Sequence, residues 1–295
     1  MEIWRRSIVL QWSSLLALLV GVPWFRSGYV LSYDMVWVPH LELSRPDVWG
    51  LGSALPRAVP SDAVAALLGA VVDPQVVQRV VLLGALVLAA TGGARLVREL
   101  PLPAQLAAAT FALWNPFVAE RLVLGQWPLL VAYASLFWLV AAIREDRTAL
   151  TALALVGTAL TPASGLMGVV VAVVVGRRLI GPLALGALVN APWVVAALLN
   201  SDALAPDADA VRSFAVQPEG PLGRLGAVLG LGGIWNADVV PDSRTHVLSA
   251  VLVVGLWALM LVGLVFMARR ERTLTLSLVV LGVLGLAVAT SGWWG

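Results

Sequence analysis

Asp34 lies in the run Gly28-Tyr29-Val30-Leu31-Ser32-Tyr33-Asp34-Met35-Val36-Trp37-Val38-Pro39-His40, just past the first long apolar stretch of the chain. At that place it stands among Tyr29, Tyr33, Met35 and Trp37, at the depth of a lipid headgroup. Partial desolvation there is expected to make it a stronger base. A carboxylate so placed can take the proton of an acceptor hydroxyl that displaces a lipid phosphate at a sugar's anomeric carbon. The bland alternative is a loop-turn or capping aspartate.

Two further groups could bind rather than react. The first is Trp114-Asn115-Pro116-Phe117, followed by Glu120-Arg121 and Gly125-Gln126-Trp127-Pro128. An arginine at a membrane boundary can hold a phosphate bidentately, and Gln126 can meet a sugar hydroxyl. Against this stands a purely structural Glu120–Arg121 arrangement at a helix turn. The second is Gly232-Gly233-Ile234-Trp235-Asn236-Ala237-Asp238, with Arg212, Phe214 and Arg244 nearby. An indole stacks on the apolar face of a sugar ring and an amide takes its hydroxyls; a glycine turn in an interfacial loop is the plainer account. Arg57 is another candidate phosphate partner. His40 is a candidate substrate contact, and with His246 it completes the histidines. Lone histidines in separate loops make no metal site without converging carboxylates.

The elements that must position these residues are membrane helices. The chain is 60% hydrophobic and 12% charged, with a mean hydropathy of +0.92, which excludes an ordinary soluble fold. A spanning helix needs ~20 apolar residues, and eight or nine such stretches are present. They fall near 7–25, 76–94, 103–117, 125–143, 148–161, 163–176, 179–199, 247–268 and 273–292. The expected fold is all-α, a single polytopic domain over 1–295, with long loops at 26–75 and 200–246. Within the first loop, Ser61 is read as the N-cap of a short apolar helix over 62–72. Asp73-Pro74 then caps the second span. The 148–176 stretch breaks at Thr161-Pro162 into two short helices. Leu222–Ile234 is too glycine-rich for a secure span. Gly92-Gly93 and Gly165/Gly168 are small-residue packing patterns, and the 13 tryptophans read first as an interfacial belt. The run stops at Trp293-Trp294-Gly295, directly after the ninth span, and is compatible with an end or with a cut through something longer.

Arginine sets the expected orientation. All 19 Lys-plus-Arg positions are arginine, and 11 of them fall in alternate gaps, at Arg5/Arg6, Arg95/Arg98, Arg144/Arg147, Arg177/Arg178 and Arg269/Arg270/Arg272. Positive residues translocate poorly. The N-terminus is therefore expected in the cytoplasm, and both long loops outside a multi-pass cell-membrane protein. The pI of about 9.6 then reflects orientation and contact with membrane lipids, not nucleic acid. Without cysteine there is no disulfide, thiolate nucleophile or Cys-metal site.

The first outer loop with its acid just past the first span, and the stretches Tyr33-Asp34-Met35-Val36 and Trp114-Asn115-Pro116-Phe117-Val118-Ala119-Glu120-Arg121, resemble the C-type glycosyltransferase superfamily, near actinobacterial arabinofuranosyl- and mannosyltransferases. The resemblance covers roughly the first 145 residues. It implies an inverting transfer from a polyprenyl-phosphate sugar donor to a cell-envelope glycan or glycolipid on the outer face, with Asp34 as base. Many relatives carry paired acids in this loop, whereas the nearest here are Glu42 and Asp47; that departure leaves a divalent metal open. Two rivals remain: a lipid or glycan transporter or flippase, which would need charges lining a path inside its spans, and a non-catalytic scaffold of envelope synthesis.

Overall fold

The computed structural model of the chain describes residues 2–35, 37, 39–52, 57–176, 180–200 and 208–292. Among these every regular element is a helix. Six helices are long and apolar enough to cross a membrane: Ile3–Phe25, Pro74–Leu96, Trp127–Arg144, Gly181–Leu199, Val247–Arg270 and Arg272–Ser291. The protein is a helical membrane protein.

Thirteen α-helices are described. They are α1 (Glu2–Gly21), α2 (Ser61–Gly69), α3 (Pro74–Leu96), α4 (Leu102–Leu113), α5 (Pro116–Leu124), α6 (Trp127–Arg144), α7 (Thr148–Thr158), α8 (Pro162–Val175), α9 (Ile180–Leu199), α10 (Ala208–Ser213), α11 (Gly223–Leu229), α12 (Val247–Arg270) and α13 (Arg272–Ser291). Proline starts many of them, because its missing N–H costs nothing in a first turn. Asp73 caps α3 by accepting from the N–H groups of Gln75 and Val76. Thr161 caps α8 through Ser164 N–H. These two starts are as expected, and so is the division of 148–176 into two helices.

Elsewhere the elements differ from the sequence reading. The expected span 103–117 is a helix of 12 residues, too short for ~30 Å of hydrocarbon, because Pro116 ends it and restarts the chain as α5. Helices α7 and α8, with 11 and 14 residues, are also short. Ser61 is no cap: its Oγ donates to the Ala58 carbonyl at 2.8 Å, and Pro60 holds the capping position. Leu222–Ile234, by contrast, is as expected no span: it folds as the short α11 and a glycine turn.

The chain is organised as two compact units, one formed by residues 1–114 and 124–205, the other by 115–123 and 206–295. In the first, α3 packs on α1, α4 and α6, α6 on α7 and α8, and α8 on α9. Glycine permits the closest approaches: a Cβ on Gly93 would stand 2.7 Å from Ala112 Cβ and 3.0 Å from the Ala108 carbonyl. One on Gly92 would stand 2.8 Å from Phe137, and one on Gly168 would meet Thr158. Tryptophans strap helices together as well as lining the boundary. Trp12 Nε1 donates to Thr110 Oγ1 at 2.9 Å, and Trp138 Nε1 to the Leu88 carbonyl at 2.9 Å. The expected belt is thus partly a set of internal donors, as indole N–H groups need partners when dry.

At one end of this unit Glu145 receives Arg95 at 2.5 Å and Arg98 at 2.8 Å, while Gln105 Nε2 donates to the Arg98 and Leu100 carbonyls. The C-termini of α3 and α6 and the N-terminus of α4 therefore meet there. The described residues of the long first loop are packed and bonded. Val48 is 1% exposed and packs with Leu41, Leu43, Ala63 and Ala66, and Asn200 Nδ2 donates to the Gly50 carbonyl at 2.8 Å. In the second unit α12 packs on α13 and α11. Helix α12 has no buried residue and α13 only Thr275 and Ser277, an inversion suited to solvation by lipid tails, which are as apolar as leucine.

Candidate functional site

The N-terminal turns of α3 hold the segment that carries Asp34. Gln78, 1% exposed, accepts the Val30 N–H at 2.8 Å and returns its own N–H to the Val30 carbonyl at 2.7 Å. Arg79 Nη2 donates to the Arg26 and Gly28 carbonyls at 2.8 and 3.0 Å. A tight turn follows, closed by Met35 N–H to Ser32 O. Asp34 N–H donates to the Leu124 carbonyl at 2.8 Å, and Gln126 Nε2 to Asp34 Oδ2 at 2.9 Å. Between these, Gly125 has φ +86°, and the Met35 backbone lies so close that a Cβ there would stand 2.9 Å from Met35 Cα. Met35 and Trp37 are buried, while Tyr33 and Asp34 are exposed. Its aromatic neighbour Trp37 turns inward against Trp127, with ring centroids 5.4 Å apart, while the Asp34 side chain faces outward.

Beside this pair a cavity of about 510 Å³ opens along α2. Trp37, Trp127, His40, Glu42 and Asp62 line it, with small apolar residues of α2 as its floor. No arginine stands among its described lining residues. Asp62 was not among the sequence candidates, yet burial pushes its carboxyl above the ordinary value. An acid in the first turn of an otherwise apolar nine-residue helix was the available signal. His40 lines the cavity and is itself exposed; Arg57 is exposed in the same loop.

The other candidates belong to the second unit. Asn115 Oδ1 accepts the Val118 N–H at 3.1 Å and Pro116 takes the first turn, so α5 begins as proline chemistry dictates. Glu120 then points inward at 1% exposure, while the Arg121 guanidinium lies 5.2 Å over the Phe117 ring. Glu219 accepts Arg244 Nε and Nη2 at 3.1 and 2.9 Å, the Ile234 N–H at 3.1 Å, and the Gly233 N–H. Burial first, then the Glu219 charge, push the Glu120 carboxyl up to about 8; Arg121 and Arg244 oppose this, and a hydrogen bond with Glu219 adds to it. Glu120 is thus part of a buried cluster and not an open boundary acid. Trp235, 39% exposed, meets Phe214 edge to face at 5.1 Å. Asn236 spends its side-chain oxygen capping Asp238 N–H at 3.0 Å.

Asp34 and Gln126 are therefore joined directly and His40 lines the cavity of Trp37 and Trp127, whereas Glu120, Arg121, Trp235 and Asn236 lie in the second unit. Gln78 and Asp62 were missed. Among the described residues, no three acids or histidines converge as a metal site would require. No protein-family model, curated protein or solved structure matches the chain.

Proposed function

We propose that this protein is a membrane glycosyltransferase, moving a sugar from a polyprenyl-phosphate donor to a cell-envelope glycan or glycolipid on the extracytoplasmic face. The observation that carries the reading is Asp34: an exposed carboxylate, oriented by Gln126 and by its own backbone bond to Leu124, in the same unit as a cavity lined by Trp37 and Trp127. In the transfer Asp34 accepts the proton of the acceptor hydroxyl. The hydroxyl oxygen bonds to the anomeric carbon as the bond from that carbon to the phosphate oxygen breaks, and polyprenyl phosphate leaves with the electron pair. Configuration inverts. Arg57 is the candidate phosphate contact in this unit. The cavity, with Trp37, Trp127, His40, Glu42 and Asp62 and no arginine among its described lining residues, suits the neutral acceptor saccharide better than the phosphate. Trp235 is a separate sugar-stacking candidate. The end bearing Arg95, Arg98 and Arg144 is taken as cytoplasmic because arginine translocates poorly.

The test uses the full chain in proteoliposomes with radiolabelled polyprenyl-phosphate sugars and envelope acceptor. Asp34→Asn should lower transfer ~10²-fold or more, the usual worth of a general base, with insertion unchanged. Turnover near that of the parent would end the proposal, and uptake of labelled lipid without product would favour a flippase.

A further inference from the structure

Glu120 and Glu219 take no part in the transfer described above, and the chain pays heavily to bury them. We propose that they form a one-proton site, a carboxyl–carboxylate pair whose shared proton clamps α5 to the 219–234 turn and whose loss at alkaline pH releases that clamp. The geometry assigns the members. Glu219 is the ionised one: one of its oxygens receives two backbone N–H groups and the other receives both arms of the Arg244 fork. Four N–H donors on its two oxygens favour its charged form. Glu120 is as deeply buried, and its Oε1 has no hydrogen-bond partner.

Gly232 shows how close the two acids are. A Cβ there would stand 2.7 Å from Glu120 Oε1 and would collide with Glu219 Oε2, so only glycine lets both carboxyl groups occupy that space. Two like charges crowded in a dry site cannot both persist, and the pair titrates as a unit. The charged groups acting on Glu120 are Glu219 from the segment before α11, Arg244 from the turn before α12, and Arg121 from its own helix. Arg244 donates to Glu219, and its pull on Glu120, like that of Arg121, is outweighed by burial and the Glu219 charge. Consistently, the Glu120 carboxyl is pushed up to about 8 from the ordinary 4.5.

The sign follows. Between those two values the folded chain binds a proton that the unfolded chain has lost, so stability falls as pH rises through that interval and levels off above it. The inference does not depend on the transferase reading.

Infrared spectroscopy of the full chain in lipid nanodiscs tests it, on an Asp62→Asn background that removes the other burial-raised acid. A protonated-carboxyl band should be present at pH 7 and should disappear with a midpoint near 8. In the added Glu120→Gln change that band should be gone, and the fall in melting temperature from pH 5 to 9 should flatten. Absence of the band at pH 7, or its survival in Glu120→Gln, overturns the proposal. The first outcome can be read even if the glutamine variant does not fold.

Discussion

Gly125 is one atom away from disabling the turn that presents Asp34. An alanine there meets two objections at once. A φ of +86° costs an L-residue ~1–2 kcal/mol, and the added methyl overlaps the Met35 backbone. Gly125→Ala should therefore free the first loop, and hydrogen exchange at the Asp34 amide, slow while it is bonded to Leu124, should become fast. Gln78→Leu should act from the other side by removing both bonds to the half-buried Val30 backbone, at about 1 kcal/mol per lost hydrogen bond, read as a lower melting temperature in detergent. Arg244→Met should cost more, ~3–5 kcal/mol, since it strands the buried Glu219 charge. Part of this was legible in the letters. Asp34 and Gln126 each drew notice by their place beside apolar runs, but the bond between them joins positions 92 residues apart, and no local pattern records it. Gln78 escaped notice because a glutamine near the start of a helix ordinarily faces water.

Among the elements, the readable boundaries were those set by chemistry within four residues. Asp73-Pro74, Asn115-Pro116 and Thr161-Pro162 all mark helix starts, because an oxygen acceptor followed by a ring without N–H suits few other places. Asp73→Ala should accordingly cost ~1 kcal/mol, measured by denaturant titration in micelles. Ser61 misled because a hydroxyl also donates, and here the Ala58 carbonyl outcompeted the helix. Helix length was the harder quantity: 103–117 was read as a full span ending at Pro116, while the helix stops at Leu113 and the chain restarts at Pro116 as a second short helix. The glycine patterns were read correctly as packing, since the distances at Gly92, Gly93 and Gly168 leave no room for side chains. Gly93→Leu should pry α4 from α3, visible as loss of the Trp12–Thr110 link in site-directed crosslinking.

At the scale of the whole molecule, the contacts divide the chain discontinuously, with residues 115–123 grouped with 206–295. Nothing in composition marks those borders, because the partners of α5 come from a segment long removed in sequence. A chain ending at residue 205 should keep α3, α4 and α6 packed but lose both Glu219 and Arg244. Trypsin should then cut after Arg121 in the shortened chain, while the same bond survives in the full one.

That discontinuity has a consequence during translation. Glu120 leaves the ribosome 99 positions ahead of Glu219, an interval on the order of ten seconds at ordinary elongation rates. For that time a helical turn meant for the interior has no interior to enter. The insertion machinery must tolerate a half-built protein whose fifth helix waits, and any slowing of synthesis between the two glutamates lengthens its exposure to quality-control proteases.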